Sequence, residues 1–350
     1  MGLWKWIMDW LTEDPSAPIE PDLSDNSRGA AVATLERPTR KAPAKKTQDS
    51  GQPWWIPQGE SFTEPQKVER PDLSTVALVL ENLLVSHLDG HDLKMPPLVQ
   101  AAETVLSRLR NPNCRLADVS RDIANDPVIA ASVLRMANSP LYRGLSKTTA
   151  LLPAVTRLGV KALSTLMMHE SLRAAVFQGK GKDNWARRIW ADARASAHIM
   201  GGLSQFTNVD AEDAFLIGLL HDIGNVVVLR IVRSNQELGR AEIDDDTFDY
   251  LCYECHQEFG ELVAGAWKLP TTCASLIADH HSYPADDDPL RVERLQIQLS
   301  DMIAAMLGYG PPATYDILNS RIAVELGLTN RPGFTAFLER LPAELEQAFE

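Results

Sequence analysis

Residues 215–224 read FLIGLLHDIG. The stretch reads as an apolar helix that sets His221 and Asp222 side by side just ahead of Gly224. An adjacent imidazole and carboxylate can both ligate one ion from a helix turn, and this donor pair suits a first-row divalent metal. Alone, the dipeptide is weak evidence. It gains weight downstream, where His256, the pair His280-His281 and Asp301 supply further ligand types on successive predicted helices.

The helical reading extends in both directions. From Pro71 onward, apolar residues recur at helical spacing between short breaks at Asn111-Pro112, Asp126-Pro127, Ser139-Pro140, Gly179 to Gly181 and Leu269-Pro270. Residues 116–124 and 127–137 form a predicted helix pair, the second with proline in its first turn and Asp126 placed to cap it. Residues 153–168 give a further amphipathic helix or helix pair, interrupted at Gly159. No convincing alternating strand pattern occurs, so the expected fold is all-α.

The order HD, His, HH, Asp resembles the HD superfamily, and it is similar to the ligand pattern of the dinuclear HD-GYP phosphodiesterases. His221, Asp222, His256, His280, His281 and Asp301 match that pattern in turn. The resemblance also implies an upstream histidine shortly after Trp190, where this chain has Asp192. Aspartate can ligate a metal, but it is shorter than histidine and brings a charge, which implies an altered or weakened site. His198, six residues on, is turned away from the Asp192 face of that helix.

Further motifs narrow the resemblance. Met95-Pro96-Pro97-Leu98, residues 116–124, Asp126-Pro127, residues 134–139 with Tyr142, and residues 154–159 look like the amino-terminal half of an HDOD domain. His256 followed by Gly260, Trp267 and Leu269-Pro270 looks like the stretch before that family's HH pair. The likeness covers residues 92–307. It implies a multi-helix HDOD or HD-like domain used in bacterial signalling, and composition places a disordered amino-terminal segment before it. No GYP loop follows His281, where the chain reads Ser282-Tyr283-Pro284-Ala285, which argues against hydrolysis of cyclic dinucleotides.

The resulting organisation is a Trp-rich amphipathic peptide over residues 1–13, a flexible linker over 14–70, the HDOD domain over 71–310 and a helical extension over 311–350. Trp4, Trp6 and Trp10 leave only a narrow polar stripe from Lys5 and Asp9, so the peptide is expected to dock on a partner groove or a membrane surface, or else on this protein's own core. Trp54 and Trp55, beside Pro53 and Pro57, read as a second small anchor. The linker's Pro, Ser, Asp, Lys and Gln content leaves too little apolar surface to offset ordering entropy. Its basic run over residues 37–46 reads as a solvated tail, with an anionic partner as the alternative.

Lys+Arg 34 against Asp+Glu 47 gives a net charge of -13, which disfavours nucleic acid as a partner. Four cysteines in 350 residues are too few for a disulfide scaffold and fit a reducing cytoplasm. Cys252 and Cys255 form a CxxC without a second one, and read as helical core thiols rather than a zinc site. No run of about eighteen apolar residues is evident, and no signal peptide is evident.

Two functions follow as expectations. The favoured one is a regulatory module that binds a protein or ligand partner and is not a catalyst. The alternative is a metal-dependent phosphohydrolase, with iron, manganese or zinc held by His221, Asp222, His256, His280, His281, Asp301 and Asp192, and a basic residue such as Arg194, Lys268 or Arg291 on the substrate phosphate. Without metal, the same residues would form a hydrogen-bonded polar network. His87, His91 and His169 read as surface or capping residues.

Overall fold

The computed structural model describes residues 53–57, 60–89, 95–139, 142, 147–178, 184–237 and 243–349. The Trp-rich peptide with Trp4, Trp6 and Trp10, the basic run over 37–46, and His91 lie outside the described residues. Within them the chain is helical, with no strand and one isolated parallel bridge between Phe62 and Tyr315.

The helices run in the order α1 (Thr75–Asp89), α2 (Gln100–Leu109), α3 (Leu116–Ala124), α4 (Pro127–Asn138), α5 (Leu151–Phe177), α6 (Asn184–Leu203), α7 (Ala211–Leu220), α8 (Gly224–Glu237), α9 (Asp245–Ala266), α10 (Thr271–Ala278), α11 (Arg291–Leu307), α12 (Arg321–Glu325) and α13 (Phe334–Phe349). As the sequence suggests, Asp126 caps α4 by accepting from the backbone N–H of Val128 and Ile129. Gly159 breaks α5 with φ of 74°, a left-handed region that glycine enters without a Cβ penalty.

Helices α2 to α5 form an amino-terminal layer, and α6 to α11 form the layer that carries the ligand-type residues. Trp267, at the end of α9, joins the two. Its ring is buried and its indole N–H donates to the Pro96 carbonyl at 2.8 Å, which gives the Met95-Pro96-Pro97 motif a structural reason. Residues 151–177 and 211–235 are each long and apolar enough to cross a membrane by length and composition, which corrects the expectation that no such run exists. The second runs through α7 and α8, and 78% of its apolar window is buried inside the protein.

The expected boundaries of the linker and the extension change. Residues 53–57 and 60–70 are docked rather than free. Trp55 is buried in the core, and the Phe62 N–H donates to the Thr314 carbonyl at 2.9 Å, while Asp316 and Arg321 N–H groups return to the Phe62 and Thr63 carbonyls. A proline inside α13 supplies a further anchor. Pro342 has no N–H to give the Leu338 carbonyl four residues earlier, and the Trp54 indole N–H donates to that carbonyl instead, at 3.0 Å. Composition alone misreads this segment as linker because a few well-placed contacts hold it.

The carboxyl-terminal extension is part of the same core. Phe334, Phe337, Leu338, Leu341 and Leu345 of α13 are buried, each such side chain contributing about 1.5–3 kcal/mol on burial. Phe337 packs where Gly202 of α6 has no side chain; a Cβ there would lie 2.4 Å from the Phe337 ring. His198 of α6 faces Glu344 at 3.2 Å, consistent with its predicted turn away from Asp192. His169 is not a surface residue: α5 continues to Phe177, and the imidazole is buried against Trp190 with ring centroids 5.0 Å apart.

Candidate metal centre

The apolar helix α7 is capped at its amino end by Asp210 and ends at His221, so His221 and Asp222 emerge on the three-residue turn before α8. Gly224 is required directly after that turn. A Cβ at this position would sit 1.9 Å from the His256 carbonyl oxygen and 2.7 Å from the Gly260 nitrogen, so the start of α8 rests on the backbone of α9. That contact brings His256 beside Asp222. His280 and His281 come from the turn after α10, and Asp301 from α11.

Two overlapping groups of ligand atoms result. Asp222, His256, His280 and His281 offer atoms that all lie within 4.8 Å of one another, and so do His221, His280 and Asp301. The Nε2 atoms of His280, His256 and His221 lie 3.2, 3.4 and 3.6 Å from Asp222 Oδ1. His221 Nε2 is also 3.3 Å from Asp301. All three histidines are buried, whereas the side chains of Asp222 and Asp301 keep 24% and 26% of their exposure.

The Nδ1 atoms fix how the rings are turned. Those of His221, His256 and His280 face the carbonyls of Gly218, Cys252 and Ile277 at 2.9, 2.9 and 3.0 Å. A carbonyl can only accept, so each of these Nδ1 atoms carries a proton, and in a neutral ring the Nε2 lone pair then points inward. Such backbone acceptors orient metal-ligating histidines. His256 and His280 then face each other through Nε2 at 3.2 Å, and Asp222 Oδ1 is a buried acceptor with no hydrogen bond. Converging lone pairs around a carboxylate oxygen fit a divalent cation, which would relieve their mutual repulsion.

Electrostatics follow from the same packing. Burial opposes charge on Asp222, yet His221, His256 and His280 hold its carboxyl well below the usual range. Burial also opposes protonation of His221, but Asp222 and Asp301 outweigh it and raise this group to about 10, so without an ion its Nε2 carries a proton toward Asp301, which a bound cation would displace. Burial lowers His256, and it lowers His281 further, with His280 and His256 adding to the effect. Asp192 is pushed well above the usual range by burial and then by Asp222, with Asp301 contributing. It therefore lies within electrostatic reach of the cluster, although it is not among the carboxylates whose oxygens converge.

Several residues that the sequence did not single out hold the HH turn. With its amide oxygen toward the turn, Gln257 of α9 accepts from the N–H groups of His280 and His281 at 3.0 and 3.3 Å. Gln298 of α11 donates to the carbonyls of His280 and Ser282, both at 2.8 Å. Arg294 donates to the Asp279 carbonyl and pairs with Asp288 at 2.7 Å. Asn225 donates to Asp222 Oδ2 at 3.2 Å, leaving Oδ1 for the histidines.

The three basic candidates are engaged in contacts of their own. Arg194 is buried near Tyr309, Lys268 lies in the left-handed turn that ends α9, and Arg291 pairs with Glu325. The guanidinium acting on Asp192 is that of Arg188, which binds Asp249 at 2.5 Å. The cysteines are free thiols: Cys252, Cys255 and Cys273 are buried, and burial raises Cys255 and Cys273 to about 12. None joins the metal groups.

Comparison with known proteins agrees with this geometry. The sequence profile of the HDOD domain matches residues 95–283, more than half of the chain. The chain belongs to the HDOD domain family. Among solved structures, it is similar to a Shewanella amazonensis protein provisionally named a metal-dependent phosphohydrolase, with a TM-score of 0.62 and 18% identity over 79% of this chain and 100% of that one. An HDOD domain protein of unknown function from Geobacter sulfurreducens gives 0.55 and 19%, over 78% and 98%. A Marinobacter aquaeolei protein provisionally named a signal transduction protein gives 0.54 and 20%, over 79% of this chain and 66% of that one. An uncharacterized protein of Treponema pallidum is 23% identical over 198 residues, a stretch covering 54% of this chain and 38% of that relative's length. At these identities the structures establish the fold that the HDOD chain shares with them.

Proposed function

We propose that this HDOD protein is a bacterial signal-transduction module that holds a divalent metal ion at its HD centre and works by binding a partner rather than by turnover. The observation that carries the metal reading is Asp222 Oδ1, a buried acceptor without a hydrogen bond and ringed by three Nε2 atoms whose Nδ1 sides face carbonyls. Imidazole with carboxylate suits iron, manganese or zinc. His221, Asp222, His256, His280, His281 and Asp301 would hold the ion, with Asp192 as a nearby carboxyl that burial holds toward its neutral form. The binding-module reading rests on the contacts of the three basic candidates: Arg194 is buried, Lys268 lies in the turn that ends α9, and Arg291 is paired with Glu325. A partner would meet the protein through Trp4, Trp6 and Trp10, whose indole rings suit an apolar groove with a polar rim.

A second reading, phosphohydrolysis, is favoured by one observation: Asp222 and Asp301 keep about a quarter of their side-chain exposure, so solvent reaches one side of the centre. A bound ion there would supply Lewis acidity and an activated water. One experiment addresses both readings: elemental analysis of protein purified without chelator, comparing wild type with the His221→Ala, Asp222→Ala variant, followed by a screen of phosphodiesters and phosphomonoesters. Near-stoichiometric metal in the wild type, lost in the variant and without turnover, is expected. Turnover lost in the variant would favour the hydrolase. A folded wild type without metal would refute the metal reading.

A further inference from the structure

The turn carrying His280 and His281 is gripped from a third direction, by the extension that follows the HDOD match. Tyr283, two residues beyond His281, has the Arg321 guanidinium carbon 3.7 Å from its ring centroid and that of Arg291 at 5.6 Å. The Tyr283 hydroxyl donates to Glu325, and the same carboxylate takes Arg291 and, at 3.2 Å, Arg321 Nε. Arg291 also donates to the Pro284 and Ala285 carbonyls at 2.5 and 2.9 Å. Arg321 and Glu325 bound α12, beyond residue 283 where the family match ends.

Arg321 is anchored at its other end too. Its backbone N–H donates to the Thr63 carbonyl at 3.2 Å, and its guanidinium lies 3.9 Å from Glu64. One residue thus joins the amino-terminal strap, the extension and the metal-bearing turn. Exposed ion pairs of this kind contribute little individually. A planar guanidinium lying on an aromatic face adds something a point charge does not, because it fixes the plane and position of the ring.

His281 is the member of the centre that needs such help. It is less buried than His221, His256 and His280, and its ring is held by ring contacts with Tyr253, His256 and His280 rather than by a carbonyl. Gln257 and Gln298 fix the turn's backbone as far as Ser282. The next residue is Tyr283. Ligand sites tolerate only a fraction of an ångström of error, so freedom at Tyr283 is felt at His281.

We infer that Arg321 is a positioning residue for the metal centre, fixing Tyr283 and through it the direction in which His281 offers its ring. The inference rests on the metal-holding reading above. The test uses full-length wild type, Arg321→Ala, Arg321→Lys and Tyr283→Phe, with Co2+ as the probe. Affinity is measured by chelator competition, and the visible spectrum of the loaded protein reports ligand geometry. Arg321→Ala is expected to bind Co2+ about tenfold more weakly, the low end for partners outside the ligand sphere, with a changed spectrum. Arg321→Lys should not restore either property, since an ammonium has no flat face, and Tyr283→Phe, which keeps the ring, should stay within about twofold of wild type. Wild-type affinity and spectrum in Arg321→Ala, even with a lowered melting temperature, would reduce the contact to a structural one and overturn the inference. If wild type takes up no Co2+, the metal-holding reading fails by itself. Amide hydrogen exchange over residues 280–285 then decides the positioning role: faster exchange in Arg321→Ala supports it, and unchanged exchange overturns it.

Discussion

Trp54→Phe isolates a single hydrogen bond whose cause is a proline 288 residues away in sequence. Pro342 deprives the Leu338 carbonyl of its helical donor, and the Trp54 indole replaces it at 3.0 Å. Phenylalanine keeps most of the ring and removes the N–H. Leu338 is fully buried, and a buried acceptor left unmade costs about 1–3 kcal/mol, equivalent to a fall in melting temperature of about 2–5 °C for a domain of this size. Urea denaturation of the full chain, with the m-value checked for constancy, reads the cost directly. The decisive comparison is with Pro342→Ala, which restores a backbone N–H to serve Leu338. In that background Trp54→Phe should cost about 1 kcal/mol less. Equal costs in the two backgrounds, within about 0.3 kcal/mol, would refute the reasoning, because the loss would then come from ring packing alone.

Three further outcomes are expected. Gly224→Ala places a Cβ 1.9 Å from the His256 carbonyl, a backbone atom that has to move by about an ångström; overpacking of about 1–3 kcal/mol and loss of bound metal should appear together in thermal unfolding and elemental analysis. Glu344 is held below the usual carboxylate range by its hydrogen bond to His198, so its contribution to stability is present above the unfolded-state pKa and fades as pH falls through the depressed one. The melting temperatures of wild type and Glu344→Gln should therefore differ at pH 7 and converge toward pH 3; a gap that widens on acidification would contradict this. Titration of the native protein with a thiol reagent at pH 8 should label Cys114 rapidly and the other three slowly, since those are buried and Cys255 and Cys273 are raised to about 12.

The all-helical fold and the six His and Asp residues that converge in it were legible because each left a local mark. Apolar spacing marks helices, proline and glycine mark their ends, and histidine or aspartate on an apolar helix or turn stands out against its surroundings. The residues that aim the ligands left none. Gln257, Gln298, Arg294 and Asn225 are polar side chains on helices, and nothing in one dimension separates a glutamine that grips a turn from one that faces water. His169 was misread because it was taken as a helix end, whereas α5 runs two further turns to Phe177 and buries it. The docked strap was misread for a related reason. Its composition is that of a linker, and its order comes from Trp55 buried in the core and from Trp54 and Phe62 meeting partners more than 240 residues away.

That strap also determines how the molecule carries load. The chain enters the described structure at Pro53, with Trp54 clasped to α13 and Phe62 to Thr63 laced along residues 314–321, before it reaches α1. A pull on whatever precedes Pro53 is therefore borne first by the carboxyl-terminal helix, then by Arg321 and the Tyr283 stack, and only afterwards by the amino-terminal layer. The described part of the HDOD chain is a closed loop in the mechanical sense, with its seam at Tyr283 lying two residues from His281.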